Sequence, residues 1–244
     1  TISRSGMSPI SQRLDHPGIY ANCVEDIDLV ASVILSFDSE DLDMIQNYQY
    51  KNDLNLNKSL KFGFVRGPVW NFGDEDMKNG IEEFVKNSQL DIEDLDLGKD
   101  FEDAAKAHEI IMNGSIANSL INYYQADKSN LHPFTVKRIE AGIPVSASDY
   151  VSAIEKAKKM EQTLRQFFLK YDAIITPAAP GQAPRDLMNT GNAIFNGYWT
   201  MMGVPAISLP LLKGKDNLPI GVQIITAWKE DDKLLSISKL FLDT

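Results

Sequence analysis

The chain has 244 residues, 43% of them hydrophobic, and a formal net charge of −10, with one cysteine and three histidines. That length and apolar content suffice to bury the core of one large domain or two small ones. The acidic balance excludes a self-sufficient nucleic-acid binder, which needs clustered Lys and Arg to neutralise phosphate, and the lone Cys23 excludes an internal disulfide framework.

No apolar run approaches the roughly 18 residues needed to cross a bilayer, and no basic-then-apolar signal pattern opens the chain. The expectation is therefore a cytoplasmic protein without a membrane partner. The histidines and the thiol show no metal-ligand spacing, so neither a metal nor a cofactor is expected. Position 1 is Thr rather than Met, and the polar, turn-forming stretch up to Gly18 reads like the interior of a domain.

Val24, Ile27, Val30, Ala31, Ile34 and Leu35 recur at helical spacing, with Asn22 placed to cap the helix and Glu25 and Asp26 at its positive end. The acidic, Asn-rich segment from Asp38 to Lys58 reads as an exposed connection or an irregular helix. Leu60 to Val65 reads as a strand, followed by a helix whose apolar face carries Met77, Ile81, Phe84 and Val85. Leu90, Ile92, Leu95 and Leu97 suggest an irregular strand whose carboxylates form a solvated face.

Helical spacing returns from Phe101, through Ala104, Ala105, His108, Ile111 and Met112. A shorter helix is expected from Pro133 to Ala141, closed by Gly142. Ser148 and Asp149 are expected to open a long helix with Tyr150, Ile154, Ala157, Met160, Leu164 and Phe167 on one stripe. The last third changes character. YDAIITP, VPAISLP and LPIGVQIIT are short apolar runs bounded by Pro and Gly, as strands buried on both faces would be. A helix from about Thr190 to Met202 is expected between the first two, and another from Asp232 to Leu242 closes the chain. The alternation implies a single α/β domain over residues 1–244, with a mixed central sheet covered by helices on both faces.

Two stretches are more specific than any periodicity. SRSGMSPISQRLDHPGIYANCVEDIDL pairs a Ser-Arg-x-Gly turn with Leu-Asp-x-x-Gly. The second runs from Tyr171 to Leu235, through a Thr-Pro loop, Thr-Gly-Asn, Gly-Val-Pro-Ala and Leu-Pro-x-Gly-Val-Gln. Together, in this order, they resemble the C-terminal half of the amidase signature family, general amidases more closely than the glutamyl-tRNA amidotransferase A subunits. Arg13 and Asn22 depart from the residues the family often has at their places.

The resemblance implies hydrolysis of a small amide by a serine nucleophile, a second serine in a cis peptide and a neutral lysine base. The Gly/Ser-rich run that carries such serines has no match here, so the chain is expected to lack the N-terminal catalytic half and, alone, to be inactive. No catalytic residue is assigned. For the substrate pocket the resemblance nominates Thr176 and Ala178 after the IITP strand, Asn192, Asn196 and Trp199 near the following helix, and Arg138 as a carboxylate-binding residue. A surface role for Arg138, paired with Glu140 or Asp149, is the alternative. His108 reads as a core histidine rather than a general base. Two other functions stay open: a transamidating subunit working with a partner, and a non-catalytic binding module. A homodimer is likewise left open.

Overall fold

The computed structural model describes residues 1–51, 56 and 59–242. The expected connection from Asp38 to Lys58 therefore lies partly outside the described residues. Helix α1 spans Val24–Ile34 and strand β1 Lys61–Phe64, followed by α2 at Glu75–Asn87 and β2 at Asp91–Asp94. The middle of the chain is helical, with α3 at Ala104–Asp127, α4 at Pro133–Gly142 and α5 at Ala147–Phe167. Then come β3 (Ala173–Pro177), α6 (Ile194–Met202), β4 (Ala206–Lys213), β5 (Pro219–Ile225) and α7 (Asp231–Leu242).

The described strands form one mixed sheet in the order β2-β1-β3-β5-β4. β1 runs parallel to both β2 and β3, whereas β5 lies antiparallel to β3 and to β4. Phe62 of β1 meets Phe241 of α7 edge-on at 5.2 Å, and Phe84 of α2 stacks against the same ring at 6.2 Å. Two helices thus close over one side of β1 through a single aromatic cluster, of a kind worth about 1 kcal/mol per ring pair beyond the area it buries. The α/β architecture agrees with the expectation from alternating elements.

Several local expectations change. Asn22 does not cap α1; Cys23 takes the N-cap position and no side chain bonds there. α5 begins two residues earlier than expected, because Ser146 Oγ accepts from Asp149 N at 3.0 Å and donates to its carboxylate at 2.6 Å. A Ser three residues ahead of an acid satisfies orphan donors better than a start at Ser148.

The carboxylates around β2 are not a merely solvated face. Asp94 pairs with Arg66 at 2.7 Å, Glu93 with Lys170 at 2.5 Å and Asp100 with Lys159 at 2.6 Å. β3 and β5 are buried almost throughout, but β4 alternates between buried and exposed residues. Its position at the sheet edge is the reason: among the described residues it pairs with β5 alone.

Gly142 is the last residue of α4, not its C-cap; Ile143 occupies that position in a right-handed conformation. Its absent side chain serves another purpose. A Cβ there would lie 2.7 Å from the Ala117 Cβ and closer still to the Asn113 carbonyl oxygen, so the glycine lets α4 pack against the backbone of α3. Gly80 of α2 is the opposite case, because a Cβ there would meet only Leu212, at 3.6 Å or more. Gly142→Ala should therefore destabilise the chain by about 2–3 kcal/mol, whereas Gly80→Ala should stabilise it by ~0.5–1 kcal/mol. Urea denaturation of both variants checks the opposite signs; equal midpoints would contradict the packing.

Candidate functional site

A hollow of about 1280 Å³ opens over the β3-β5-β4 side of the sheet. Its floor comes from Ala178 just after β3, Gly221 and Gln223 of β5, and Ala206 and Ser208 of β4. One wall is the loop from Ala178 to Pro184 together with residues 189–193; a second is the α6 side chains Asn196 and Trp199. A separate hollow of about 390 Å³ lies beside Arg66, Asp94 and Gly98, where Arg66 is already held by Glu82 and Asp94.

The register of the sheet explains the floor. Thr176 and Ser208 each lie directly opposite Gln223, so these three polar side chains form one row across three strands on one face. Thr176 Oγ1 and Gln223 Nε2 are buried without a hydrogen-bond partner, as are Tyr198 Oη and Trp199 Nε1 on α6. Tyr198 Oη lies near Thr176 and Trp199, without hydrogen-bond geometry to either. Burial pushes its phenol well above the usual range. Unmet buried donors and acceptors cost roughly 1–3 kcal/mol each, so four of them in one neighbourhood mark a place prepared for something polar.

The opening motif anchors the mouth of the hollow. Arg4 donates to both carboxylate oxygens of Asp41, at 3.2 and 3.1 Å, and to Asp43 at 2.5 Å, while Ser3 Oγ donates to Asp38 at 2.5 Å. Arg4 holds the Asp41 carboxyl far below the usual carboxylate range, chiefly through the side-chain hydrogen bond. Asp15 of the Leu-Asp pair accepts from the backbone of Ile10 and Ser11, at 2.8 and 3.0 Å, which fixes the next turn. Part of the acidic segment thus serves as the counter-charge of the Ser-Arg-x-Gly turn rather than as a bare connection. Arg13 pairs with Glu161 on α5.

Four of the expected pocket residues, Ala178, Asn192, Asn196 and Trp199, line this hollow together. Asn192 does so from an exposed turn rather than a helix, because α6 starts only at Ile194 and the Asn192 side chain accepts from Ile194 N at 3.0 Å. Thr176 does not line the hollow; it is fully buried inside β3, behind the floor.

Arg138 is elsewhere. It donates to Asn113 Oδ1 at 3.1 Å, lies 3.9 Å from Glu109 and stacks on Phe134 at 5.2 Å. Neither of its expected partners is available: Glu140 is taken by Lys128 and Tyr124, and Asp149 by Ser146. His108 packs against Gly197, where a Cβ would come within 2.8 Å of its ring. Burial first, and Arg138 second, push its imidazole below the ordinary value. The described residues contain no group of three or more His, Cys, Asp or Glu side chains suited to a metal.

Sequence reasoning missed Gln223 and Asp231, which both line the hollow. Gln223 carried a signal, being the one polar side chain between apolar neighbours in a strand read as buried on both faces. Asp231 opens α7 and accepts from Thr1 and Tyr48, each at 3.3 Å.

The family model for amidases matches residues 1–235. This chain belongs to the amidase family. Among curated relatives of this amidase, a glutamyl-tRNA(Gln) amidotransferase subunit of Agathobacter rectalis is 27% identical over 92% of the chain and 52% of the relative. The subunit of the same name from Acinetobacter baumannii is 28% identical over 97% of the chain and 56% of its own length. The chain thus spans about half the length of the curated relatives it matches. Among solved structures, an amidase superposes with a TM-score of 0.80 at 17% identity, over 96% of this chain and 54% of its own. A 6-aminohexanoate cyclic dimer hydrolase bound to substrate gives 0.77 at 19% identity, over 99% and 58%. These likenesses establish the amidase fold.

Asp231 generates a pH prediction. Burial raises its carboxyl above the ordinary 3.8, outweighing the N-terminal charge and the bonds from Tyr48 and Thr1. A raised acid binds its proton more tightly in the folded state, so ionised Asp231 costs stability once pH climbs through the raised value. The stability of Asp231→Asn minus that of the unaltered chain should therefore grow between about pH 4 and about pH 7. Urea midpoints across that range test it, and a flat or falling difference would contradict the burial.

Proposed function

We propose that this chain builds the floor and one wall of a cavity in which the C–N bond of a small amide is hydrolysed through an acyl-enzyme. We propose further that the attacking serine, its cis-peptide serine partner and the lysine base are supplied by polypeptide outside these residues. The observation that carries the reading is the family match over residues 1–235 together with a hollow holding unpaired buried donors.

The chemistry asks for a hydroxyl oxygen that attacks the amide carbon, a base that takes its proton, and return of that proton to the departing amine. Water then attacks the ester and releases a carboxylic acid. The hollow contributes one serine and one lysine, Ser208 and Lys229, and both are exposed. Lysine acts as a base near neutral pH only where burial or nearby positive charge strips its proton, and neither surrounds an exposed side chain. The buried serines are engaged elsewhere. Ser11 donates to Ser115 at 3.0 Å, Ser115 meets Tyr150 at 3.0 Å, and Ser238 donates to the Leu234 carbonyl at 2.7 Å.

Three further features support completion by additional polypeptide. The hollow, at about 1280 Å³, exceeds the ~300–1,000 Å³ typical of a small-molecule site. β4 has an open edge, and open edges are natural places for another strand to pair. Tyr20, Leu187 and Met188 are 99%, 97% and 90% exposed, more apolar surface than a finished face usually leaves. Transamidation, the second reading, draws on the names of the curated relatives. The engagement of Arg138 by Asn113 speaks for hydrolysis, because that reading assigned Arg138 to a substrate carboxylate.

Release of ammonia from simple carboxamides tests the proposal. The purified 244-residue chain should give no turnover above the buffer rate. Supplying the Ser/Ser/Lys-bearing half of an amidase as a second polypeptide should restore hydrolysis, and Trp199→Ala in this chain should then lower kcat/KM at least about tenfold. Turnover by the chain alone, abolished by a substitution within it, would falsify the division of labour.

A further inference from the structure

Resting on the reading of the hollow as an amide-binding cavity, we infer that Gln223 Nε2 and Trp199 Nε1 together receive the carbonyl oxygen of an uncharged carboxamide, and that the site rejects the matching carboxylate. Gln223 is 5% exposed and Trp199 1%, and both line the hollow from different elements, β5 and α6. Both orphan atoms are nitrogen donors. A ligand that fits them must therefore present an acceptor, and a carbonyl oxygen with two lone pairs can take one bond from each.

The charge of the lining decides between neutral and anionic acceptors. The hollow is bordered by five aspartates and three cationic side chains, Arg4, Arg13 and Lys229. Arg4 is committed to Asp41 and Asp43, and Arg13 to Glu161. That leaves the exposed Lys229 as the one lining cation outside a described ion pair. A carboxylate would lose its hydration to enter a lining dominated by like charge, with no guanidinium free to receive it. An amide oxygen gains the same two hydrogen bonds without that cost. The apolar atoms around the donors, from Ala178, Ala206 and Ile207, suit an alkyl or aryl group attached to the carbonyl.

Nuclear magnetic resonance of the ¹⁵N-labelled chain tests this without turnover, so it succeeds or fails separately from the hydrolysis assay. The chain holds three tryptophans, and the Trp199 indole signal is identified as the one missing from Trp199→Phe. Titration with hexanamide should move that signal saturably, and hexanoate should bind at least about tenfold more weakly. Gln223→Leu should weaken hexanamide binding about tenfold, the loss of one buried hydrogen bond. Gln223→Glu, which keeps the shape but replaces the donor by an acceptor, should weaken it at least as much. An unmoved Trp199 signal in the unaltered chain, which needs no variant to fold, would overturn the assignment and leave the four orphan atoms to bound water. Equal affinity for hexanoate, or unchanged affinity in well-folded Gln223→Leu, would overturn it as well.

Discussion

The hollow exists because the backbone of β5 is bare at one position. At Gly221 an added Cβ would come within 2.9 Å of the Ala178 Cβ and still closer to Ser208 Oγ. β3, β5 and the start of β4 therefore meet around a gap where a side chain would otherwise stand. Ala178 N donates to the Gly221 carbonyl at 3.0 Å, which continues the ladder past the end of β3 and turns the loop across the floor. A larger residue at 221 would push β4 outward or fill the floor. In either case the row Thr176, Gln223 and Ser208 would lose its relation to α6.

α6 completes the arrangement from the other side. It is a short, strongly apolar helix with Phe195, Tyr198, Trp199, Met201 and Met202 buried, and it ends at Gly203 in the left-handed region, φ 65°. Gly197 lets the His108 ring of α3 approach, so α6 is fixed between the helical layer and the sheet. Trp228 Nε1 donates to the Met202 carbonyl at 2.8 Å, tying the end of α6 to the segment after β5. Such docking aims Trp199 and Asn196 at the hollow and leaves Tyr198 and Thr176 behind it. A stiff floor and a wedged helix suit a site that must hold a ligand in one orientation while reacting groups approach from elsewhere.

The periodic elements were legible in the sequence, and the special positions were not. Helical spacing located α2, α5 and α7 because apolar stripes report burial directly, and continuous apolar runs located β3 and β5. The same rule overstated β4, since an apolar run does not reveal that a strand lies at the edge of a sheet. Thr190 and Asn192 looked helical from the apolar residues that follow, but the Asn192 side chain captures the Ile194 amide and delays the start of α6. Gly142 looked like a stop signal, yet its role is a close approach between helices distant in sequence, which no local pattern encodes. Arg138 followed a family motif, and its partner Asn113 lies 25 positions away on another helix. The Ala178, Asn192, Asn196 and Trp199 side of the hollow was readable from resemblance. Gln223 was readable only from chemistry, as a polar side chain in a strand with no water to meet it.

The central claim is that this chain shapes and orients while the attacking hydroxyl belongs to other polypeptide. Intact-mass spectrometry after exposure to a serine-directed fluorophosphonate tests it most directly, because such a probe bonds only to a hydroxyl made nucleophilic by a neighbouring base. The account predicts an unchanged mass for the folded 244-residue chain. Stoichiometric addition of one probe, mapped to Ser208 or any other serine within it, would contradict the account.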